Sequence, residues 1–118
     1  MNGDQLRKLA LSLPDSSEAP HFDRAAFRTP KRIFATLSAD GRSVNLKLEL
    51  DQQAALAESR PEAFRAIAGG WGRQGWTTMT LSEVSVAEAR SVLADAHALA
   101  SIEPRKPGRA KRPPKRTR

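Results

Sequence analysis

Two stretches of the chain carry apolar residues at the spacing of an amphipathic helix. The first covers residues 4–13 and stops at Pro14. The second covers residues 86–100, and Ser85 with Glu88 has capping-box spacing at its start. Both stripes predict helices that pack one face onto a core.

Between these helices, alternation of apolar and polar residues predicts strands. Residues 31–38 and 42–50 flank Asp40-Gly41, a dipeptide suited to a tight hairpin turn. We expect a further strand over residues 21–29, ahead of this hairpin, and another over residues 77–81. The clean alternation over residues 42–50 predicts a sheet with one buried face and one largely polar face.

The remaining segments predict a loop over residues 15–20 and two short helices. Asp51 is suited to N-cap the first helix, residues 52–58. A capping-box spacing at residues 59–62 predicts a second, ending at Gly69-Gly70. The fold class expected is α+β: a two-layer sandwich in the order α-β(3)-α-β-α, with an antiparallel sheet and its helices on one face.

The charge of the chain is unevenly distributed. The net charge is +7, from 20 basic and 13 acidic residues. Eight of the basic residues, but only Glu103 of the acidic ones, follow residue 102, so residues 1–102 carry 12 of each sign. We therefore expect a charge-neutral domain over residues 1–102 and a basic tail over residues 103–118.

Proline and basic residues dominate this tail, which has no aromatic or large aliphatic side chain, so we expect it to be disordered. Its charges suit sequence-independent contacts with the phosphates of a nucleic acid. The candidate residues are Arg105, Lys106, Arg109, Lys111, Arg112, Lys115, Arg116 and Arg118. A contact with RNA or a ribosome, a contact with acidic lipid, and a purely solubilising role remain alternatives.

Several absences narrow the class of protein. The chain has no cysteine, which excludes disulfides and thiolate chemistry and favours a cytoplasmic location. No apolar run approaches the roughly 18 residues of a membrane span. We expect no cofactor, no metal and no membrane partner, and a monomer.

The sequence contains few residues that could act as catalytic groups. The two histidines, His21 and His97, are 76 positions apart, and no catalytic motif is present. His21 and Asp23 would share a face of the strand expected at residues 21–29, which suits an acid–base or metal pair or, more simply, a locally hydrogen-bonded histidine. We expect His97 to be a partly buried packing residue of the last helix. The chain is therefore expected not to be an enzyme.

The most unusual stretch is residues 69–76, where four glycines and two tryptophans lie together. We expect a tight bend that brings Trp76 onto the polar face of the sheet, where its ring could stack on a base. Half-buried packing at the sheet edge is the alternative, and Trp71 is ambiguous. The nearby basic residues are Arg24, Arg28, Lys31, Arg32, Lys47 and Arg73. We expect Arg28, Lys31, Lys47 and Arg73 to join Trp76 in a binding face, and a scattered, solvated set of charges is the alternative.

The order and spacing of several short motifs resemble those of the MmcQ/YjbR-like family of small bacterial proteins, from about residue 6 to 100. These motifs are the Leu13-Pro14 helix end, Pro20-His21-Phe22, Phe27-Arg28, Lys31-x-Ile33-Phe34-Ala35-Thr36-Leu37, Leu46-Lys47-Leu48 and Gly70-Trp71-Gly72-x-x-Gly75-Trp76-Thr77. The resemblance implies the same α-β(3)-α-β-α sandwich and a DNA-binding role. The basic tail lies outside it.

Two functional hypotheses follow. In the first, a non-enzymatic protein binds DNA through the polar sheet face and, without sequence preference, through the tail. In the second, the domain is a protein- or small-ligand-binding module with no nucleic-acid role. A single positive patch around Trp76 would favour the first, and an apolar groove with dispersed charges would favour the second.

Overall fold

Helices and strands alternate along residues 1–102, the part of the chain that the computed structural model describes. The helices are α1 (Gly3–Leu11), α2 (Leu50–Ser59), α3 (Gly70–Arg73) and α4 (Val86–Ser101), with a 3-10 turn at Leu81–Glu83. The strands are β1 (Ser17–His21), β2 (Arg24–Arg28), β3 (Ile33–Leu37), β4 (Ser43–Lys47), β5 (Phe64–Ala66) and β6 (Trp76–Thr80). None of these helices is long and apolar enough to cross a membrane.

The six strands form one antiparallel sheet in the order β1-β2-β3-β4-β6-β5. Helices α1 and α4 contact each other and pack against β3, with α4 also against β4. This arrangement confirms the expected α+β fold with an antiparallel sheet. The boundary of the domain at residue 102 and the disorder of the tail lie outside the described residues and stay predictions.

The core lies between the sheet and the α1–α4 pair. Leu6 and Ala10 of α1 are buried, as expected from their helical spacing. The core side of the sheet alternates as predicted, with Val44 and Leu46 on β4 and Met79 on β6 fully buried. Because side chains of a strand alternate between its faces, the residues between these are left on the opposite face.

Two local predictions about the ends of elements are confirmed. The Asp40-Gly41 turn joins β3 to β4, and Gly41 has a φ of 72°. The Ser38 hydroxyl and the Arg42 amide donate to the Asp40 carboxylate, which lowers the pKa of that carboxyl. Helix α4 begins after Ser85, whose side chain accepts from the Glu88 amide.

The predictions of a loop over residues 15–20 and a single strand over residues 21–29 are wrong. Strands β1 and β2 instead form a hairpin whose two-residue turn is Phe22-Asp23, with Phe22 at a φ of 60°. All five residues of β1 are exposed, so this edge strand carries no alternation that a sequence pattern could detect. Pro20 is tolerated there because an edge strand needs only one row of ladder hydrogen bonds.

The helix predicted from the capping-box spacing at residues 59–62 is also wrong, because this segment pairs with β6 as strand β5 and buries Phe64. The local spacing favours a helix, but pairing with residues of β6 that lie 11 to 15 positions later prevails. The start of α2 also differs from the predicted one. Glu49 rather than Asp51 is its N-cap, and Leu50 begins the helix as an exposed residue instead of extending the strand.

The glycine-rich segment makes the bend that the sequence predicts, because two of its glycines touch other backbone. A Cβ on Gly75, at a φ of 105°, would lie 2.1 Å from the Leu48 carbonyl oxygen. A Cβ on Gly72 would lie 1.7 Å from the Ile67 carbonyl oxygen. The Leu48 amide donates to the Gly75 carbonyl at 2.9 Å, which ties the bend to the end of β4.

We predict that Gly75→Ala lowers the free energy of unfolding by about 3 kcal/mol, because the methyl group is both overpacked and in the left-handed region. Gly70→Ala is the matched control, since its Cβ would meet only the flexible end of Arg73, at 3.7 Å. It should change stability by less than about 0.5 kcal/mol. Urea unfolding measures both variants, and equal losses would contradict this account.

Candidate functional site

A groove of about 640 Å³ crosses the face of the sheet that α1 and α4 leave uncovered. We call it the sheet groove. It is lined by His21, Phe22, Arg24, Arg28, Arg32, Ile33, Thr36, Asn45, Lys47, Ile67, Trp71, Trp76, Leu99 and Ala100. The polar strand positions that alternate with the core residues form its floor, and the C-terminal end of α4 contributes to its wall.

Every charged side chain that lines the sheet groove is basic: Arg24, Arg28, Arg32 and Lys47. Among residues 1–102, no carboxylate lines it. Within residues 1–102 none of the four makes an ion pair, whereas Arg7 and Arg60, elsewhere on the surface, pair with carboxylates. Partial burial and, second, the charge of Arg32 lower the pKa of Lys47. The groove therefore holds an excess of positive charge that an anion would relieve.

Aromatic rings occupy two ends of the sheet groove. Trp71 and Trp76 meet edge to face with their ring centroids 6.1 Å apart, and Trp71 is 62% exposed. Phe22, at the tip of the β1–β2 hairpin, is 91% exposed and contacts His21 edge to face. Exposed large aromatic side chains in a concave, basic setting are typical of binding surfaces rather than of solvated ones.

The position of Trp76 is fixed by Gln53, a buried side chain of α2. The Gln53 amide nitrogen lies 3.0 Å from the Gly72 carbonyl oxygen, 3.1 Å from that of Trp76 and 3.1 Å from the Thr77 hydroxyl. The Thr77 hydroxyl in turn donates to the Gly75 carbonyl at 3.0 Å. Since a buried amide is held by its hydrogen bonds, this cluster sets the direction in which the tryptophan ring leaves β6.

The basic residues of the sheet groove are held by backbone carbonyls and hydroxyls. Arg24 donates to both the hydroxyl and the carbonyl oxygen of Thr36. Arg32 donates to the carbonyls of Leu99, at 2.9 Å, and Ile102, at 3.2 Å. Those two carbonyls lie at the C-terminal end of α4, where a cation is favoured by the helix dipole. These two guanidinium groups are thus positioned without a carboxylate partner among the described residues.

Asn45 of β4 adds a polar side chain to the floor of the sheet groove. The Thr78 hydroxyl donates to the Asn45 side-chain oxygen at 2.8 Å. This bond leaves the amide NH₂ of Asn45 as a donor toward the sheet groove. The floor can therefore bind an acceptor atom as well as a negative charge.

The structure brings together three of the five residues that the sequence suggests for the body: Arg28, Lys47 and Trp76 line the sheet groove. Lys31 and Arg73 do not line it. Lys31 lies in the β2–β3 connection and Arg73 at the end of α3. The eight tail residues, from Arg105 to Arg118, lie outside the described residues.

The site expected from the sequence leaves out several residues that line the sheet groove, among them Phe22, Arg24, Arg32, Asn45 and Trp71. Arg24 and Arg28 both lie within the strand expected over residues 21–29 and both line the sheet groove, although the register of β2 against β3 shifts between Phe27 and Arg28. The sequence pattern does not decide the position of Trp71. Nothing in the sequence pattern indicates that Phe22 and Arg32, which lie in connections between strands, reach the same groove.

The histidines have separate roles. His21 lines the sheet groove, but Asp23 faces a different surface hollow beside Asp4 and Arg7, so the shared strand face expected for His21 and Asp23 is wrong. His97 is half-buried, as expected, with its Nε2 2.8 Å from the Pro14 carbonyl oxygen and its ring against Phe34. Residues 1–102 contain no group of three or more metal-binding side chains.

Comparison with known proteins identifies similar sequences and folds. A family model described as YjbR matches residues 11–99. A crystal structure from Deinococcus radiodurans with the family-model domain DUF419 is similar at a TM-score of 0.71 and 22% identity, over 81% of this chain and 75% of that one. A protein from Pseudomonas syringae has a TM-score of 0.67 at 20% identity, over 85% of this chain and 99% of that one. No curated protein matches the chain.

We predict that Gln53→Met lowers the free energy of unfolding by about 1.5 kcal/mol, because the buried acceptors around the lost amide keep fewer donors. Its neighbour Gln52 is the control. Gln52 bonds only to Asp95 at the surface, so Gln52→Met should cost less than about 0.5 kcal/mol. Urea unfolding followed by tryptophan fluorescence measures both, and equal losses would show that the amide cluster is unimportant.

We predict that Lys47→Met raises the urea midpoint at neutral pH. The folded state lowers the pKa of Lys47 below its usual 10.5, so the charged form destabilises the fold. Between the lowered pKa and 10.5 the unfolded chain binds the proton more tightly, and wild-type stability should therefore rise with pH in this window. The variant should lose that rise. Lys8→Met, at an exposed position of α1, should give no such gain, and a lower midpoint for Lys47→Met would contradict the account.

Proposed function

The chain belongs to the YjbR family, whose model matches residues 11–99, and on that premise we propose that it is a non-enzymatic protein that binds DNA through the sheet groove. The family relationship and the structural neighbours supply a fold. The proposal that the chain binds DNA therefore depends on the sheet groove itself and on the basic tail, which begins after residue 102.

One observation carries the proposal. Four basic side chains and two tryptophans line one groove, and no carboxylate of residues 1–102 lines it with them. Residues 1–102 are neutral as a whole, so this gathering of one sign of charge is a local property and not the result of composition. A polyanion with flat apolar groups is the ligand class that complements such a surface.

Each part of the sheet groove suits a different part of a nucleic acid. Arg28 and Lys47 suit phosphates, because they carry charge without an ionic partner among the described residues. Trp71 offers an exposed ring for base stacking. The free amide of Asn45 suits a base edge or a phosphate oxygen.

The tail's sequence position adds to this surface. Arg32, which lines the sheet groove, donates to the carbonyl of Ile102, the last described residue. The eight basic residues after it therefore begin in the sequence immediately beyond a groove contact. We propose that the tail adds sequence-independent phosphate contacts to those of the groove.

A second candidate function is the binding of a small anionic ligand. The volume of the sheet groove, about 640 Å³, lies in the range of small-molecule sites. In that case a mononucleotide or another small anion would bind as tightly as a longer strand. A dependence of affinity on strand length therefore separates the two candidates.

Intrinsic tryptophan fluorescence is the most direct test, because the chain has two tryptophans and both line the sheet groove. We predict that a DNA oligonucleotide changes this emission, in the full chain and in residues 1–102 at low salt. Lys47→Met and Arg28→Gln should each weaken binding and reduce the slope of log affinity against log salt by about 1.

The matched control is Arg90→Gln, which removes one positive charge from an exposed position of α4. It should leave both affinity and slope nearly unchanged. If DNA binds the full chain without changing tryptophan emission, and residues 1–102 do not bind at low salt, the groove is not the site and only the tail makes contact.

A further inference from the structure

Phe22 combines exposure with an unfavourable backbone conformation. Its side chain is 91% exposed and its φ is 60°, in the left-handed region that favours glycine. A two-residue hairpin turn would accept glycine or asparagine there at lower cost. An exposed aromatic residue held in such a conformation at the rim of a groove points to a function for the ring rather than to stability.

A second exposed ring lies on the far side of the same groove. Trp71 belongs to α3, which packs against β6. In the sheet order, β2 and β6 are separated by β3 and β4. Three strand spacings amount to about 14 Å, so the hairpin tip next to β2 and the tryptophan next to β6 are too far apart to hold one base between them.

The floor between the two rings is basic and polar. Arg24 bonds to Thr36 on β3, Asn45 and Lys47 lie on β4, and Lys47 pairs in register with Trp76. Across the sheet groove, an aromatic surface is followed by a cationic one and then by a second aromatic one. A nucleic-acid strand presents matching groups in the same order, with a base, then phosphates, then another base. Its bases are available for such contacts only when they are unpaired.

We propose that the sheet groove binds a single strand of at least three unpaired nucleotides, with one base on Phe22, another on Trp71, and the intervening phosphates against Lys47 and its neighbours. This inference rests on the proposed function and narrows it to single-stranded nucleic acid. A duplex would reach the cations with its phosphates, but its stacked bases could not cover the two rings.

The test compares three fluorescein-labelled probes against the full chain by anisotropy: the strand dT10, its duplex with dA10, and a ten-unit abasic strand that keeps the phosphates without the bases. We expect dT10 to bind at least about tenfold more tightly than either other probe, by the usual strength of base stacking. The duplex carries more phosphates, so contacts from the tail alone would favour the duplex. The abasic strand matches dT10 in charge, so the difference between them measures base contact.

Variants separate the role of the Phe22 ring from folding. Phe22→Gly removes the ring and suits a φ of 60°, so we expect an unchanged or higher melting temperature together with about tenfold weaker binding of dT10. Phe22→Tyr keeps the ring and should retain affinity. Trp71→Ala should weaken binding of dT10 similarly, and binding of the abasic strand should not change. Leu50→Ala, at an exposed apolar position outside the groove, is the control.

The outcomes distinguish this inference from the proposed function. If all three probes bind equally and change tryptophan emission, the groove binds nucleic acid but not unpaired bases, and the inference is overturned. If Phe22→Gly binds dT10 as tightly as the wild type, the two-ring arrangement is overturned. If no probe changes the emission, both the inference and the proposed function fail.

Discussion

The contact between two backbone segments, at Gly75 and Leu48, is the constraint on which the site depends. The Leu48 amide donates to the Gly75 carbonyl, and the approach leaves no room for a Cβ on Gly75. This contact sets the register in which β6 begins beside β4, and hence places Trp76 opposite Lys47. A shift by one residue would send Trp76 toward the core and Thr77 toward the groove.

The same register separates the two faces of the sheet by their chemistry. On β6, Thr77 and Met79 are buried while Trp76 and Thr78 are only half-buried. Helices α1 and α4 cover the core face of the sheet and bury its apolar side chains. Among the described residues that line the groove on the other face, every charged side chain is basic, so none of them can neutralise another. The fold therefore tolerates an electrostatic cost at Lys47, whose pKa is lowered by burial and by Arg32.

The sequence was sufficient for the parts of the fold that depend on periodicity. The helical stripes of α1 and α4, the alternation of β4 and β6 and the Asp40-Gly41 turn were each predicted correctly. Strands β1 and β5 were not, since β1 is exposed throughout and β5 is a three-residue segment whose pairing is long-range.

The site was predictable to a similar degree. Alternation alone indicated that Lys47 and Trp76 share a face, and the structure places both in the groove. Phe22 and Arg32 reach the same groove only through the geometry of two connections between strands, and such geometry leaves no periodic signal in the sequence.

The two unpaired edges of the described sheet limit its pairing with other chains. At one edge β1 contains Pro20, which has no N–H, and at the other β5 is only three residues long. A second copy would find little backbone to pair with, so both edges disfavour growth of the sheet into fibres.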